Sequence, residues 1–185
     1  MKTNHELDVY PFHIKKGNRT SILLWTEGQG TAKDHFLKRG NGRLLIIDDA
    51  DAKRRRLNAV NMNIHWDESA ALDVDNFFEQ LSRLGSASMT SASYGEILNG
   101  WNALEDLAHT LDVPKTLHFF QSDIVSSAYK KIFNGNNIPA VTPDGRHFSP
   151  TWRKIEITEL TRGLSDLWAR ITSLAPELYK RTSQR

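Results

Sequence analysis

The apolar residues of this chain change period once, near Asp67, and that change constrains the fold more than any single motif. Before it, they come in short runs or alternate. Thr20 to Glu27 holds Ile22-Leu23-Leu24-Trp25, and Arg43 to Asp48 holds Leu44-Leu45-Ile46-Ile47, both bounded by turn residues. Asn58 to Trp66 places Val60, Met62, Ile64 and Trp66 on one face and Asn61, Asn63 and His65 on the other, the pattern of a half-buried strand. Gly40-Asn41-Gly42 separates His35-Phe36-Leu37 from the Leu44 run. Asn-Gly takes positive φ at low cost, so a hairpin is predicted there. Asp8 to Ile14 adds an edge strand, because Pro11 lacks the N–H that an interior position uses.

After Asp67 the period is helical. Asp73 to Leu84 carries Phe77, Phe78, Leu81 and Leu84 on one stripe and ends at Gly85. Ser86 to Ala92 reads as a small-residue linker. Ser93-Tyr94-Gly95-Glu96 then has capping-box spacing, and Ile97, Leu98, Trp101, Leu104, Leu107, Ala108 and Leu111 follow until Pro114 closes the segment. A third helix runs from Ser122 through Val125, Tyr129, Ile132 and Phe133 to Gly135 as its C-cap. The last begins after Pro150, with Ile157, Leu160, Leu164, Leu167, Trp168, Ile171 and Leu174 on its stripe. Strands first and helices second give an α+β fold: an N-terminal antiparallel β-meander packed against a C-terminal layer of about four helices. One domain over residues 1–185 is expected, mainly strands in 1–67 and mainly helices in 72–175.

Composition removes several function classes. The chain has no cysteine, so thiolate catalysis, disulfides and cysteine-ligated metals are excluded. No apolar run approaches the roughly 20 residues that span a bilayer, and the first residues lack an apolar leader. A soluble, cytoplasmic protein without membrane contact is expected. There are 24 basic and 22 acidic residues, split 13 to 12 before position 93 and 11 to 10 after it. Neither half is a basic arm, so nucleic acid is not the expected partner.

Four places carry candidate chemistry. His65-Trp66-Asp67-Glu68 stands at a strand end; on a strand His65 and Asp67 share a side and Glu68 does not. Such a set supports either acid–base work and a divalent ion or a plain polar strand end. Glu105-Asp106 with His109 has the spacing of a surface helix pair. Asp48-Asp49-Ala50-Asp51 followed by Lys53-Arg54-Arg55-Arg56 is the densest charge feature, a solvated connector or a partner contact. No aromatic residue interleaves with its arginines to stack bases. Asn134 to Trp152 contains three prolines, the turn signal Pro143-Asp144-Gly145 and the apolar residues Ile138, Val141, Phe148 and Trp152. A loop that long is either strapped over the helices or a recognition surface. Its glycines lack Walker spacing and no Gly-Lys-Ser/Thr follows.

Leu98-Asn99-Gly100-Trp101-Asn102 with Glu105-Asp106-Leu107-Ala108, and Gly135-Asn136-Asn137-Ile138-Pro139-Ala140-Val141-Thr142-Pro143, resemble segments of bacterial immunity proteins of contact-dependent growth inhibition and polymorphic toxin systems. The resemblance spans residues 58–170. It implies a non-enzymatic protein that binds and blocks a cognate toxin domain, without cofactor or metal. The near-neutral charge departs from the acidic character of immunity proteins against basic nucleases, which points away from a nuclease partner. On this reading Asp48, Asp49, Asp51, Arg54 and Arg55 select the partner. Two alternatives remain: a metal-dependent hydrolase or nuclease using His65, Asp67 and the Asp48–Asp51 loop, and an adaptor that pairs as a homodimer through exposed sheet edges.

Overall fold

The computed structural model describes residues 7–47, 62–113 and 116–178. Strands β1 (Leu7–Lys16) and β2 (Arg19–Thr26) form an antiparallel hairpin, with Tyr10 opposite Trp25 and Lys16 opposite Arg19. β3 (His35–Phe36) and β4 (Ile46–Ile47) run antiparallel to β2 along its outer edge. β5 (Met62–Ile64) and β6 (Ala70–Asp73) run parallel to β1 along the opposite edge. The sheet is therefore mixed, antiparallel from β1 to β4 and parallel where β5 and β6 join. β4 and β5 therefore lie on opposite edges of the sheet, and apolar alternation carries no information about which edge a strand joins.

Each outer row is one strand interrupted by an excursion. Residues 37–45 leave the β3–β4 row and close on themselves through Leu45 N–H to Leu37 O at 2.8 Å and Arg39 N–H to Arg43 O at 2.7 Å. Gly42 turns this excursion at φ +79°, so the predicted hairpin is present, as a protrusion from the row. On the other side Ile64 stands opposite Val9 and Ala70 opposite Phe12, so residues 65–69 bulge out across from only Tyr10 and Pro11. That bulge resolves the proline. The Val9 carbonyl accepts from His65 N–H at 2.9 Å, so by alternation the Pro11 nitrogen faces the same edge. There the neighbouring row has moved away and no donor is required. β1 is thus an interior strand, not the edge strand Pro11 suggested.

The continuous run Ile22-Leu23-Leu24-Trp25 divides between the two faces. Leu23, with Ile14 and Phe36, enters the main core under the helices, while Ile22 and Leu24 join Val9 and Ile47 in a smaller cluster on the reverse face. Apolar residues on both sides explain why this strand shows no alternation.

Among the described residues five α-helices follow. Asp73 caps α1 (Val74–Ser82), its Oδ1 accepting from Asn76 N–H at 3.0 Å. α2 (Ser91–Thr110) starts earlier than the Ser93 capping box implied, because the Thr90 hydroxyl accepts from Ser93 N–H at 3.2 Å. Short α3 (Thr116–Gln121) has no sequence signal beyond an aromatic pair, and α4 (Asp123–Gly135) is capped by Ser122. α5 (Lys154–Leu174) buries Leu160, Leu164, Leu167, Trp168 and Ile171, while Leu174 is exposed rather than on the buried stripe. None of the helices described is long and apolar enough to cross a membrane.

α2 is the central helix, buried through Ile97, Leu98, Trp101, Leu104 and Leu107. Its contacts depend on missing side-chain atoms: a Cβ at Gly100 would enter the Phe77 ring of α1, and one at Gly163 of α5 would enter the Phe119 ring of α3. At the start of α5, Glu156 is 1% exposed and receives Lys131 Nζ on both oxygens at 2.8 and 2.7 Å. It also accepts from the Arg153 backbone and guanidinium, each at 2.9 Å. Burial pushes this carboxyl up, but the Lys131 and Arg153 hydrogen bonds outweigh it and hold Glu156 down at about 2.

Candidate functional site

α2 carries two stripes. The buried one makes the core; the other, at helical spacing, is Asn99, Asn102, Ala103, Asp106 and His109. This second stripe faces the end of the β1–β2 hairpin farthest from its turn, where Tyr10, Phe12 and Trp25 point to the helical side of the sheet. The 65–69 bulge adds Glu68 and Ser69, and the β2–β3 connection adds Lys33 and Asp34. Together they line an open cleft of about 890 Å³. Its size is that of a small-molecule or side-chain binding pocket.

The lining is acidic over an aromatic wall. Asp34, Glu68, Glu105 and Asp106 stand against Lys33, a balance of −3 with His109 neutral. Lys33 Nζ lies 3.0 Å from His109 Nε2 and 3.7 Å from Glu105 Oε1, so this cation sits at the helical side of the mouth. Deeper, Trp25 Nε1–H donates to Asp106 Oδ2 at 3.0 Å. Burial raises the Asp106 carboxyl to about 6; the Trp25 bond and Lys33 oppose the shift, and Asp34 and Glu105 add to it. At the bulge, His65 Nε2 lies 2.7 Å from Asp8 Oδ1 and its ring stacks on Tyr10 at 4.8 Å. The His65 bond, then that of Asn63, lowers the Asp8 carboxyl below the usual range.

Asp106 ionises at a cost to the fold. Its folded pKa of about 6 lies above the ordinary 3.8, so the native state holds more protons between these values and stability falls as pH rises through them. Asp106→Asn keeps an acceptor for Trp25 and removes the charge. It is expected to gain about 1 kcal/mol at pH 7.5, allowing for solvent screening of a partly exposed group, and to lose that gain below about pH 4. Urea unfolding at both pH values measures this; a variant less stable at pH 7.5 would make the carboxylate a structural anchor.

The structure rearranges the sequence candidates. The strand ends at Ile64, and Glu68 N–H to His65 O at 3.1 Å closes a turn. The acids beside His65 are therefore Asp8, at 2.7 Å from Nε2, and Glu68, at 3.9 Å from Nδ1, while Asp67 projects into solvent. Glu105 and His109 do pair, at 3.6 Å between Oε1 and Nε2, but within the cleft instead of on an open helix face. Asp48, Asp49, Asp51, Arg54 and Arg55 lie outside the described residues. Among the described residues no three His, Asp or Glu side chains are placed to hold a metal ion. Sequence reasoning missed Trp25–Asp106, whose partners are 81 positions apart. The only local trace was the polar stripe at 99, 102 and 106 on an otherwise buried helix. Comparison with protein-family models, with curated proteins and with solved structures finds no match to this chain.

Proposed function

We propose that this is a non-enzymatic binding protein that neutralises a toxin domain by covering its surface, and that the acidic cleft receives a basic side chain of that partner. One observation carries the reading: a cleft with a −3 balance is walled by Tyr10, Phe12 and Trp25 and retains Asp106 despite its burial. An arginine or lysine suits such a site, its methylenes on the aromatic wall and its head among the carboxylates. The helix that builds the cleft is also the segment that resembles immunity proteins. Asp106 invites a second reading, since a carboxyl near pH 6 in a cleft has the pKa of a general acid.

The test is co-expression with the product of the gene immediately upstream, with binding measured by surface plasmon resonance. Glu68→Gln/Glu105→Gln is expected to weaken binding about tenfold or more and slow association at low salt, with Tm unchanged. Parent-like binding by that variant would remove the cleft from the interface. Failure of the parent to bind or protect would sink the toxin reading, and turnover lost in Asp106→Asn would favour the acid.

A further inference from the structure

We infer that the loop from residue 138 to 149 is a pre-organised recognition element that inserts into an apolar, acid-rimmed socket on the protein partner; this rests on the binding reading above.

The loop is held at its base and open at its tip. α4 ends with Asn137 in the left-handed region, φ +52°. Its side chain spans the base: the two Nδ2 hydrogens are shared among Ser91 Oγ at 3.2 Å, the Gly135 carbonyl at 2.8 Å and the Phe148 carbonyl at 3.1 Å. Its Oδ1 accepts from Phe148 N–H at 2.6 Å. The returning segment is fastened too. Lys131 Nζ donates to the Thr151 carbonyl at 2.9 Å, and Trp152 Nε1–H to Tyr94 Oη at 3.1 Å. Two turns shape the interior, Thr142 N–H to Ile138 O at 2.9 Å and Arg146 N–H to Pro143 O at 3.0 Å. A loop with joined ends and internal turns loses little entropy when it binds.

What it presents is apolar. Among the described residues the exposed large hydrophobics are Val141 at 60%, Phe148 at 38%, Ile155 at 48% and Leu174 at 51%. Val141 and Phe148 are on this loop, and Ile155 is in the first turn of the helix it enters. A structural strap turns all such residues inward; this loop packs Ile138 on the core but leaves Val141 and one edge of Phe148 outside. The exposed charges from 139 to 155 other than the clamping Arg153 are Arg146 and Lys154 against Asp144. The patch is thus net basic, opposite in sign to the cleft, and calls for carboxylates around the socket. Loop-to-loop pairing of two copies would set one net basic patch against another, so a different chain is the occupant. That partner presents a basic residue to the cleft and an acid-rimmed socket to the loop.

Val141→Asp and Phe148→Ser each remove an anchor and leave the Asn137 backbone bonds in place. Each is expected to weaken binding of the upstream gene product about tenfold or more, mainly through faster dissociation, with an unchanged Tm. Asn137→Gly keeps the left-handed backbone and removes the clamp; it too is expected to weaken binding, although no contacting residue changes. If the parent binds and both anchor variants bind equally well, the loop is a strap and the inference falls while the binding reading stands. If the parent does not bind, both fall. Parent self-association in sedimentation velocity, abolished by Val141→Asp, would make a second copy the occupant and overturn the inference.

Discussion

Trp101→Ala is expected to lower unfolding stability by about 3–5 kcal/mol, the range for deleting a large aromatic side chain from a close-packed core. Trp101 is 2% exposed, and its ring meets Phe119, Phe120 and Tyr129 at centroid distances of 6.4, 5.6 and 5.2 Å. Those rings come from α3 and α4, so the indole fixes two helices against α2. Collapse into the cavity is limited, because Gly163 already admits Phe119 as close to α5 as it can come. Urea unfolding with a conserved m-value measures the loss. A cost below about 1 kcal/mol would mean that the aromatic cluster repacks without the indole. Trp101→Phe, which keeps a ring, is expected to lose about half as much.

Lys131→Met is expected to cost about 3 kcal/mol at pH 7, because it strands a carboxylate that water does not reach. Glu156 is 1% exposed and Lys131 27%, so removing the lysine leaves Arg153 as the remaining cation. The folded pKa, held at about 2, lies below the ordinary 4.5. The parent therefore has this stabilisation in full above about pH 4.5 and loses it as pH falls toward 2. The gap between parent and variant is expected to narrow along the same path, as protonation neutralises the stranded acid. Lys131→Met/Glu156→Met should recover most of the loss. A single-variant cost under about 1 kcal/mol, read from urea unfolding, would show that Arg153 suffices.

The elements whose packing is periodic were legible in the sequence. The α1, α2, α4 and α5 stripes announced themselves at helical spacing, and Trp101 could be placed in the core from Leu98, Leu104 and Leu111. What was illegible has long reach or no period. β6 is Ala-Ala-Leu-Asp, with no β-branched residue, and is a strand only because β1 offers it a partner. α3 is too short to show a stripe and is held by the rings it packs on Trp101. The site depended on both failures: its acids are Glu68 on a bulge, Asp34 in a connection and Glu105 and Asp106 on a helix, brought together by topology. Asp67, chosen on strand alternation, was misplaced because the alternation stops one residue before His65. The long loop was visible from its prolines, but the clamp was not, because nothing in the sequence distinguishes Asn137 from Asn134 and Asn136 beside it.

The bulge at 65–69 also separates two requirements that usually conflict. A one-residue insertion within a paired strand turns every following side chain to the opposite face. Here β5 is registered on β1 by Leu7–Val9 and β6 by Phe12–Lys15, each through its own pairs. The segment between them can change length without moving either register or any core residue. Its residues form one lip of the cleft, so that lip can be reshaped by insertions and deletions as well as substitutions while the fold is kept.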